Sequence, residues 1–208
     1  DAQPVRIGGT EKMSKSKKNV VDPQSLIDQF GADTARCYAM FASPPEQSLE
    51  WSDSSVEGVA RFLRRVWNFA VELKALEAAP AANPALDSGW AAVRRELHGN
   101  LRQANYDMRR HQLNTVVSAA MKMLNALERA PKEPANMRAQ VLHEGMNLLL
   151  RMLAPITPHV CHVLWRELAY GEDILAAPWP EADEQALVAE EQEIVVQVNG
   201  KLRGSIRV

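Results

Sequence analysis

Apolar residues recur at alternating steps of three and four after residue 52, and this spacing constrains the fold more than any other feature. The first run consists of Val56, Val59, Leu63, Val66, Ala70 and Leu73. Such spacing places the apolar side chains on one face of an α-helix, and that face has to be buried against other helices. Ser52 is a suitable N-cap, and PAANP at 80–84 ends the run. The sequence therefore predicts a long amphipathic helix.

Three further runs predict three more helices, which begin near Trp90, Leu113 and Val141. The break APKEP (130–134) separates the last two, and the run that ends at Leu153 is so apolar that a central position is expected. Pro155 and Pro158 then kink the chain, and Thr157 is expected to cap a last helix, HVCHVLWREL. These patterns predict a mainly α fold with an antiparallel helix bundle over 52–177.

The two ends of the chain differ from the bundle. Residues 1–51 predict a small mixed subdomain with a strand at VRIGG, a lysine-rich loop, a helix between Asp22-Pro23 and Gly31, and a second helix to Phe41. Residues 178–208 predict an acidic linker and a β-hairpin that turns at Asn199-Gly200. Because two strands alone are marginally stable and the chain lacks an initiator Met, we interpret it as an excised fragment with an incomplete C-terminal hairpin.

Composition narrows the possible functions. A net charge of −2 supplies no global attraction for nucleic acid, so any polyanion must be bound by local clusters. No apolar run reaches the roughly 20 residues of a membrane span. Cys37 and Cys161 form no CxxC pair, which fits a reducing compartment. His159, Cys161 and His162 lack a fourth ligand, so core packing is favoured and no metal site is expected.

The segment TEKMSKSKKNVVDP (10–23) is the strongest candidate site. Lys12 and Lys15 can bind phosphate oxygens as mobile point charges, Ser14 and Ser16 add hydroxyl donors, and Met13 can hold the loop on an apolar surface. The glycine cradle of a Walker loop is absent from the sequence. A solvated or nuclear-targeting basic run explains the same residues. From the loop alone, both interpretations stay open, and the solvated run is favoured.

Several motifs in order resemble one family. KMSKS (12–16), followed by K-x-N-x-x-D-P, is similar to the signature loop of class I aminoacyl-tRNA synthetases. The run from FGADTAR to RRVWN (30–68) resembles leucyl-tRNA synthetases. LAPITPHVCHVLW (153–165) resembles the anticodon-binding domain shared by the leucine, isoleucine and valine enzymes, and VQVNGKLRG (196–204) resembles the start of a bacterial leucyl C-terminal domain. Lys18 stands where the family usually has Asn or Gly.

The resemblance implies part of a leucine–tRNA ligase, which activates leucine with ATP and Mg²⁺ and transfers it to tRNA(Leu). It implies Lys15 as the main stabiliser of the charge on the departing pyrophosphate and Lys12 as the second. The implied ATP loop comprises Lys12, Met13, Ser14, Lys15 and Ser16. It also implies a cytoplasmic protein, expected to be a monomer without membrane contact. The family's HIGH-type motif and leucine pocket are absent from the sequence, so the fragment alone is expected to be inactive.

Two sets of side chains are secondary candidates. Arginines on the first two long helices can follow tRNA phosphates: Arg61, Arg64, Arg65, Arg102, Arg109 and Arg110. Ion pairs within the helices, for instance with Glu57 or Asp107, explain these arginines equally well. Trp67 and Trp165 are expected in the core, and Trp51 is expected to pack the loop subdomain against the bundle.

Two alternatives remain at the level of sequence. The first is a fragment of an isoleucyl- or valyl-tRNA synthetase, against which the FASPPE, LEW and VNGKLRG segments argue because they look leucyl. The second is a non-catalytic helical RNA-binding module, in which a loop for ATP would serve no purpose. The fragment of a leucyl enzyme is therefore preferred.

Overall fold

The computed structural model describes residues 9, 11–76, 85–188, 193–198 and 201–207. This part of the chain is mainly helical, as the sequence predicts. Its seven α-helices are α1 (Pro23–Phe30), α2 (Ala32–Phe41), α3 (Asp53–Lys74), α4 (Ser88–Arg109), α5 (Leu113–Arg129), α6 (Ala135–Leu153) and α7 (Pro158–Glu167). Short 3-10 turns lie at Lys15–Lys17, Ile174–Ala176 and Gln185–Leu187.

Two strands follow the helices. Strands β1 (Glu193–Val198) and β2 (Lys201–Arg207) pair antiparallel from Glu193↔Arg207 to Val198↔Lys201, with an irregularity at Val196/Gln197. The proposed turn at Asn199-Gly200, the PAANP segment and VRIGG, except for its last glycine, lie outside the described residues.

Short polar side chains begin the helices where the sequence predicts. The carboxylate of Asp22 accepts a hydrogen bond from Gln24 N at 3.1 Å, and Pro23 occupies the first turn of α1. The Ser52 hydroxyl accepts from Ser55 N at 3.3 Å at the start of α3. Each such bond satisfies a backbone donor that the helix itself leaves unpaired. The caps at Asp22 and Ser52 are therefore confirmed.

The core lies where the helices meet, and α6 is its centre. All six residues of the first apolar run are buried, as predicted. Ten of the nineteen residues of α6 are buried, from Ala139 to Leu153, which confirms its central position. Helices α4, α5 and α6 pack against each other, while α3 contacts α6 and α7. None of the helices among the described residues combines the length and the apolar character that a bilayer span requires.

Two expectations about side chains in the helices are wrong. Trp67 is 41% exposed because it lies one position beyond the buried face of α3 that Val66 occupies. Thr157 precedes α7 but makes no side-chain cap, because its hydroxyl donates backwards to Leu153 O at 3.4 Å. The amino end of α7 is satisfied by another helix, as described below. Trp165, by contrast, is 5% exposed and belongs to the core, as expected.

Residues 178–188, here called the strap, return along α4. The amide nitrogen of Asn105 donates to Pro180 O at 3.0 Å, and its oxygen accepts from Trp179 Nε1 at 2.9 Å. The backbone N–H of Asp183 donates to Nδ1 of buried His98 at 3.0 Å. Since a backbone N–H only donates, Nδ1 is the acceptor, and Nε2–H of His98 is left to donate to Glu144 at 3.1 Å. The first part of the expected linker is thus fixed to the bundle.

Candidate functional site

The lysine loop is organised by its own serine and asparagine side chains. The Asn19 carbonyl oxygen accepts from Ser14 N at 2.8 Å, and its amide donates to Lys12 O at 3.4 Å. The Ser14 hydroxyl accepts from Lys17 N at 3.3 Å and lies 3.2 Å from the Ser16 hydroxyl. These bonds close the single turn Lys15–Lys17. Asn19 therefore joins the two ends of the turn.

The four lysines of the loop are not equivalent. Lys17 Nζ lies 2.7 Å from Glu11 Oε2, so its charge is already paired. Lys12, Lys15 and Lys18 are exposed and have no carboxylate within ion-pair distance in the part of the chain that the structure describes. Three unpaired ammonium groups on one short loop create a local positive field in a chain of net charge −2. The loop therefore presents cations to an anion.

Lys18 ends the turn in a left-handed conformation, with φ 54° and ψ 31°. This region favours glycine and asparagine, because other side chains crowd the following carbonyl. Glycine or asparagine would adopt this conformation at lower cost than Lys18 does. The conformation also turns the chain out of the loop and towards the cap at Asp22.

A groove of about 1050 Å³ lies beside the loop. Lys12 and Met13 line one part of it, and Trp51 lines another. Apolar side chains of Val21, Leu26 and Leu49 complete much of its wall. Met13 is 41% exposed there. The groove thus combines an apolar wall with a rim of mixed charge, because Glu11 and Glu50 line it as well as Lys12.

Tyr38 and Trp51 connect α2, which follows the lysine loop and α1, to the start of α3. Tyr38 is buried, and its hydroxyl donates to Glu50 O at 3.2 Å and accepts from Ser52 N at 3.0 Å. The Tyr38 and Trp51 rings meet edge to face with centroids 4.9 Å apart. Trp51 packs partly buried against the core. The expectation that Trp51 packs this region against the bundle is confirmed.

Sequence reasoning missed two polar residues of α2, Asp33 and Arg36. Asp33 Oδ2 accepts from Val160 N at 2.6 Å, which caps α7. Arg36 donates from Nε to Ile156 O at 3.1 Å and from Nη2 to Pro155 O at 3.0 Å. A spacing of three puts both side chains on one face of α2, but the sequence gives no indication of the segment that they bind.

The six candidate arginines are all exposed, but they differ in what they contact. Arg61 pairs with Glu57 at 3.7 Å and Arg102 with Glu184 at 3.6 Å. Arg65 binds Glu128 and Asn125 of α5, and the bond to Glu128 raises the pKa of its guanidinium. Half of the set is thus already paired.

The other three arginines form no ion pair with a carboxylate among the described residues. The Arg110 guanidinium donates to the Tyr106 hydroxyl at 2.8 Å and stacks 5.3 Å from that ring. Arg64 and Arg109 make no side-chain hydrogen bond or ion pair within the described ranges. The structure does not join the six residues into one cluster: three lie on α3, and the others lie on or just after α4. The structure therefore supports ion pairing for Arg61, Arg65 and Arg102, and contact of any of the six with tRNA stays a prediction.

The His159, Cys161 and His162 group does not form a metal centre. Burial raises the pKa of Cys161 to about 12, and its thiol is packed in the core. The side chain of His162 lies 3.6 Å from Asp173, and His159 is exposed. No group of three potential metal ligands occurs among the residues that the structure describes.

Comparison with protein families adds two matches. The model described as "Anticodon-binding domain of tRNA ligase" matches residues 91–208, more than half of the chain. The chain belongs to this family. A second model, "tRNA synthetases class I (I, L, M and V)", matches residues 5–52, which include the lysine loop. The anticodon-binding domain family thus accounts for α4 to α7, and the synthetase model accounts for the segment with α1 and α2.

Individual relatives agree with these matches. Over its whole length the chain is 59% identical to the leucine–tRNA ligase of Azoarcus sp. (strain BH72) and 58% identical to that of Aromatoleum aromaticum. It spans about a quarter of the length of these relatives, 24%. A crystal structure of the ternary complex of Agrobacterium radiobacter K84 agnB2 LeuRS, tRNA and LeuAMS superposes with a TM-score of 0.81 at 29% identity. That match covers 95% of this chain and 25% of the other.

Proposed function

We propose that this chain is part of a leucine–tRNA ligase and supplies the ATP loop and a tRNA-binding helical domain to the larger enzyme. The observation that carries the proposal is similarity over the whole chain to leucine–tRNA ligases, at 58–59% identity. The class I synthetase match over residues 5–52 supports ATP use, because it contains the loop whose Lys12, Lys15 and Lys18 have no carboxylate partner among the described residues. The superposition on a complex that contains tRNA supports tRNA as the partner.

In the proposed reaction, leucine attacks the α-phosphate of ATP and pyrophosphate leaves. Negative charge grows on the departing phosphates, and cations placed in advance stabilise that charge more than they stabilise the bound substrate. Lys15, at the start of the turn Lys15–Lys17, is assigned as the main donor and Lys12 as the second. Ser14 and Ser16 hold the turn, and Met13 contributes to the apolar wall of the groove. Each of these roles is assigned to the residue that occupies the matching position of the KMSKS motif in this chain.

The lysine loop fits the phosphates better than it fits a metal ion. Ammonium groups donate hydrogen bonds to phosphate oxygens but do not coordinate Mg²⁺. A Mg²⁺ ion would neutralise phosphate charge when bound with ATP, and the nucleotide would have to carry it, since the loop offers cations. Lys12 and Lys15 would then share the remaining charge.

The same proposal divides the chain by task. Residues 1–51 form the loop subdomain at the end of the catalytic domain, and residues 52–177 form the tRNA-binding bundle. Residues 178–208 form a linker and the start of a C-terminal domain. The substrates are tRNA(Leu), leucine and ATP, with the leucine site outside this chain, and the enzyme acts as a cytoplasmic monomer. Exposed Arg64, Arg109 and Arg110 are the preferred tRNA contacts, ahead of the paired Arg61, Arg65 and Arg102.

The test is leucine-dependent exchange between ATP and pyrophosphate by the full-length enzyme. Lys15→Ala is expected to lower the rate by roughly 10²–10³, the usual loss when one preorganised donor is removed. Lys17→Ala is the matched control: it removes a lysine of the same loop whose charge is paired with Glu11, and its effect is expected to be small. The chain 1–208 alone is expected to show no exchange.

Three outcomes would change the proposal. Preference for isoleucine or valine over leucine would assign the chain to a sister enzyme with the same loop chemistry. Full activity of Lys15→Ala would show that the loop is a solvated basic surface. Specific tRNA binding without exchange by the full-length protein would favour a helical RNA-binding module.

A further inference from the structure

Helix α7 is capped from another part of the chain. Val160 is the third residue of α7, and its N–H donates to Asp33 Oδ2 at 2.6 Å. The two residues are 127 positions apart. Thr157 stands at the position from which a helix is normally capped, but its hydroxyl points back to Leu153 O. A carboxylate at the positive end of a helix dipole is a favourable contact, and here it comes from α2.

Arg36 completes the same contact from the next turn of α2. Its Nε and Nη2 donate to Ile156 O at 3.1 Å and to Pro155 O at 3.0 Å. Both carbonyls belong to the connection between α6 and α7. Asp33 therefore accepts from a backbone N–H in the first turn of α7, while Arg36 donates to two backbone carbonyls of the connection before it. We call Asp33, Arg36 and residues 155–160 the latch.

The latch joins two parts of the molecule with different proposed tasks. Helix α2 follows α1 and the lysine loop, with only Gly31 between the two helices. Residues 155–160 follow α6, the centre of the bundle. Backbone groups in a packed turn have fixed directions, so the two side chains restrict both the distance and the rotation of α2 against the bundle. Tyr38, at the other end of α2, fixes α2 to the start of α3.

We propose that Asp33 and Arg36 are positioning residues that hold the lysine loop at a fixed distance and angle from the tRNA-binding bundle. This inference rests on the proposed function. Formation of leucyl-adenylate needs the loop and the catalytic domain, but transfer also needs tRNA, held by the bundle, to reach the adenylate. A displacement of about 1 Å of a positioned reactant can cost 10²-fold in rate. The latch therefore acts on the transfer step.

The kinetic test compares the two steps in the full-length enzyme. Asp33→Ala and Arg36→Ala are expected to lower kcat/KM for tRNA in aminoacylation about tenfold or more, in line with the cost of misplacement. Leucine-dependent pyrophosphate exchange is expected to stay close to wild type. Asp33→Asn keeps an oxygen that accepts from Val160 N and is expected to restore most of the transfer rate.

Asp87→Ala is the matched control for a merely structural role. Asp87 caps α4 in the same way, with Oδ1 accepting from Trp90 N at 2.9 Å, but it caps its own helix. Loss of that cap weakens the fold without touching the latch, so transfer and exchange are expected to change in proportion. The inference is overturned if Asp33→Ala lowers both reactions equally, lowers neither, or gives the same pattern as Asp87→Ala.

A distance measurement keeps the inference testable if the wild-type enzyme proves not to activate leucine. Spin labels are attached to ketone-bearing amino acids at exposed Gln29 on α1 and Lys122 on α5, so that cysteines elsewhere do not react. Pulsed electron paramagnetic resonance is expected to give a narrow distance distribution in the wild type and in Asp87→Ala, and a wider one in Asp33→Ala. An unchanged distribution in Asp33→Ala would refute the positioning role, whatever reaction the enzyme catalyses.

Discussion

Gly145 lies in α6 at a point where a side chain has no room. A Cβ atom there would lie 2.6 Å from Leu127 Cδ2 and 2.8 Å from Leu97 Cδ1, which are both buried. Overpacking a core costs about 1–3 kcal/mol, whereas alanine gains about 1 kcal/mol over glycine in a helix. Gly145→Ala is therefore expected to lower the free energy of unfolding by about 1 kcal/mol in chemical denaturation.

Gly58 on α3 provides the comparison for Gly145. The nearest atom to an added Cβ is Arg61 Nη2 at 3.7 Å, an ordinary contact with a flexible, exposed side chain. Gly58→Ala is expected to raise the free energy of unfolding by up to about 1 kcal/mol through helix propensity alone. Equal effects of the two substitutions would contradict the role assigned to the contact between α6 and its neighbours.

Single positions also show where reading the sequence succeeds and fails. Asp22 and Ser52 were predictable as caps because their partners are two or three residues away. The exposure of Trp67 was not predicted, because Trp67 is next to the buried Val66 in sequence but points away from the buried face of α3. The left-handed Lys18 gave no signal of its own, because lysine is uncommon in that conformation.

At the scale of elements, the strap depends on charged groups between α4 and α6. Arg94 donates to Glu144 at 2.7 and 2.8 Å and to Asp183 at 2.7 Å. Burial raises the pKa of Glu144, but hydrogen bonds from His98 and Arg94 outweigh burial and leave that pKa below its ordinary value. The bond to Arg94 also lowers the pKa of Asp183. The group thus holds the strap best when both carboxylates are ionised.

Glu144→Gln tests this group through the pH dependence of stability. Because the folded pKa of Glu144 is depressed, its contribution is complete above the unfolded pKa and is lost as the pH falls through the folded value. The wild type is therefore expected to lose more stability than the variant between about pH 6 and pH 3. At neutral pH the variant is expected to be about 2 kcal/mol less stable, since a charged hydrogen bond is lost.

Denaturation curves at several pH values measure both effects. Glu172→Gln is the control, because Glu172 is an exposed carboxylate whose side chain is 92% accessible and is paired with Arg166. Identical acid sensitivity of the wild type and Glu144→Gln would show that the strap does not depend on this ion pair. The strap itself gave no signal in the sequence, because its partners are side chains of α4 about 75–90 residues away, and no periodic pattern reports such contacts.

At the scale of the whole molecule, a net charge of −2 confines any attraction for RNA to local surfaces. Arg64 is exposed and free of ion pairs in the described ranges, whereas the neighbouring Arg65 binds Glu128. Arg64→Ala is therefore expected to weaken tRNA binding and to reduce the slope of log K against log salt by roughly 0.7–0.9. Arg65→Ala is expected to change the slope less and to lower stability.

Binding of tRNA to the full-length enzyme over a range of salt concentrations measures these slopes. Lys122→Ala removes an exposed cation of α5, a helix that carries none of the proposed arginines, and serves as the control. A larger change of slope for Arg65→Ala than for Arg64→Ala would reverse the assignment. A common change for all three variants would show that the enzyme attracts tRNA through its total charge and not through α3.

Across the molecule, the bundle was predictable and the site was only partly so. Helical periodicity identified all four long helices of the bundle, because each buries a continuous face. The lysine loop acquired a function only through resemblance, since a cationic loop by itself fits a solvated surface as well. The pairing of Lys17 with Glu11 and the latch between α2 and α7 required coordinates.

The latch also sets an order of events during synthesis. A ribosome adds about 5–20 residues per second, so Val160, 127 positions after Asp33, is added about 6 to 25 seconds later. During that interval α2 has been made, but the turn that Arg36 and Asp33 bind does not yet exist. The segment with the lysine loop can therefore reach its final position only after most of the bundle has been translated. Until then, the face of α2 that the bundle later covers is exposed, and chaperones can recognise it.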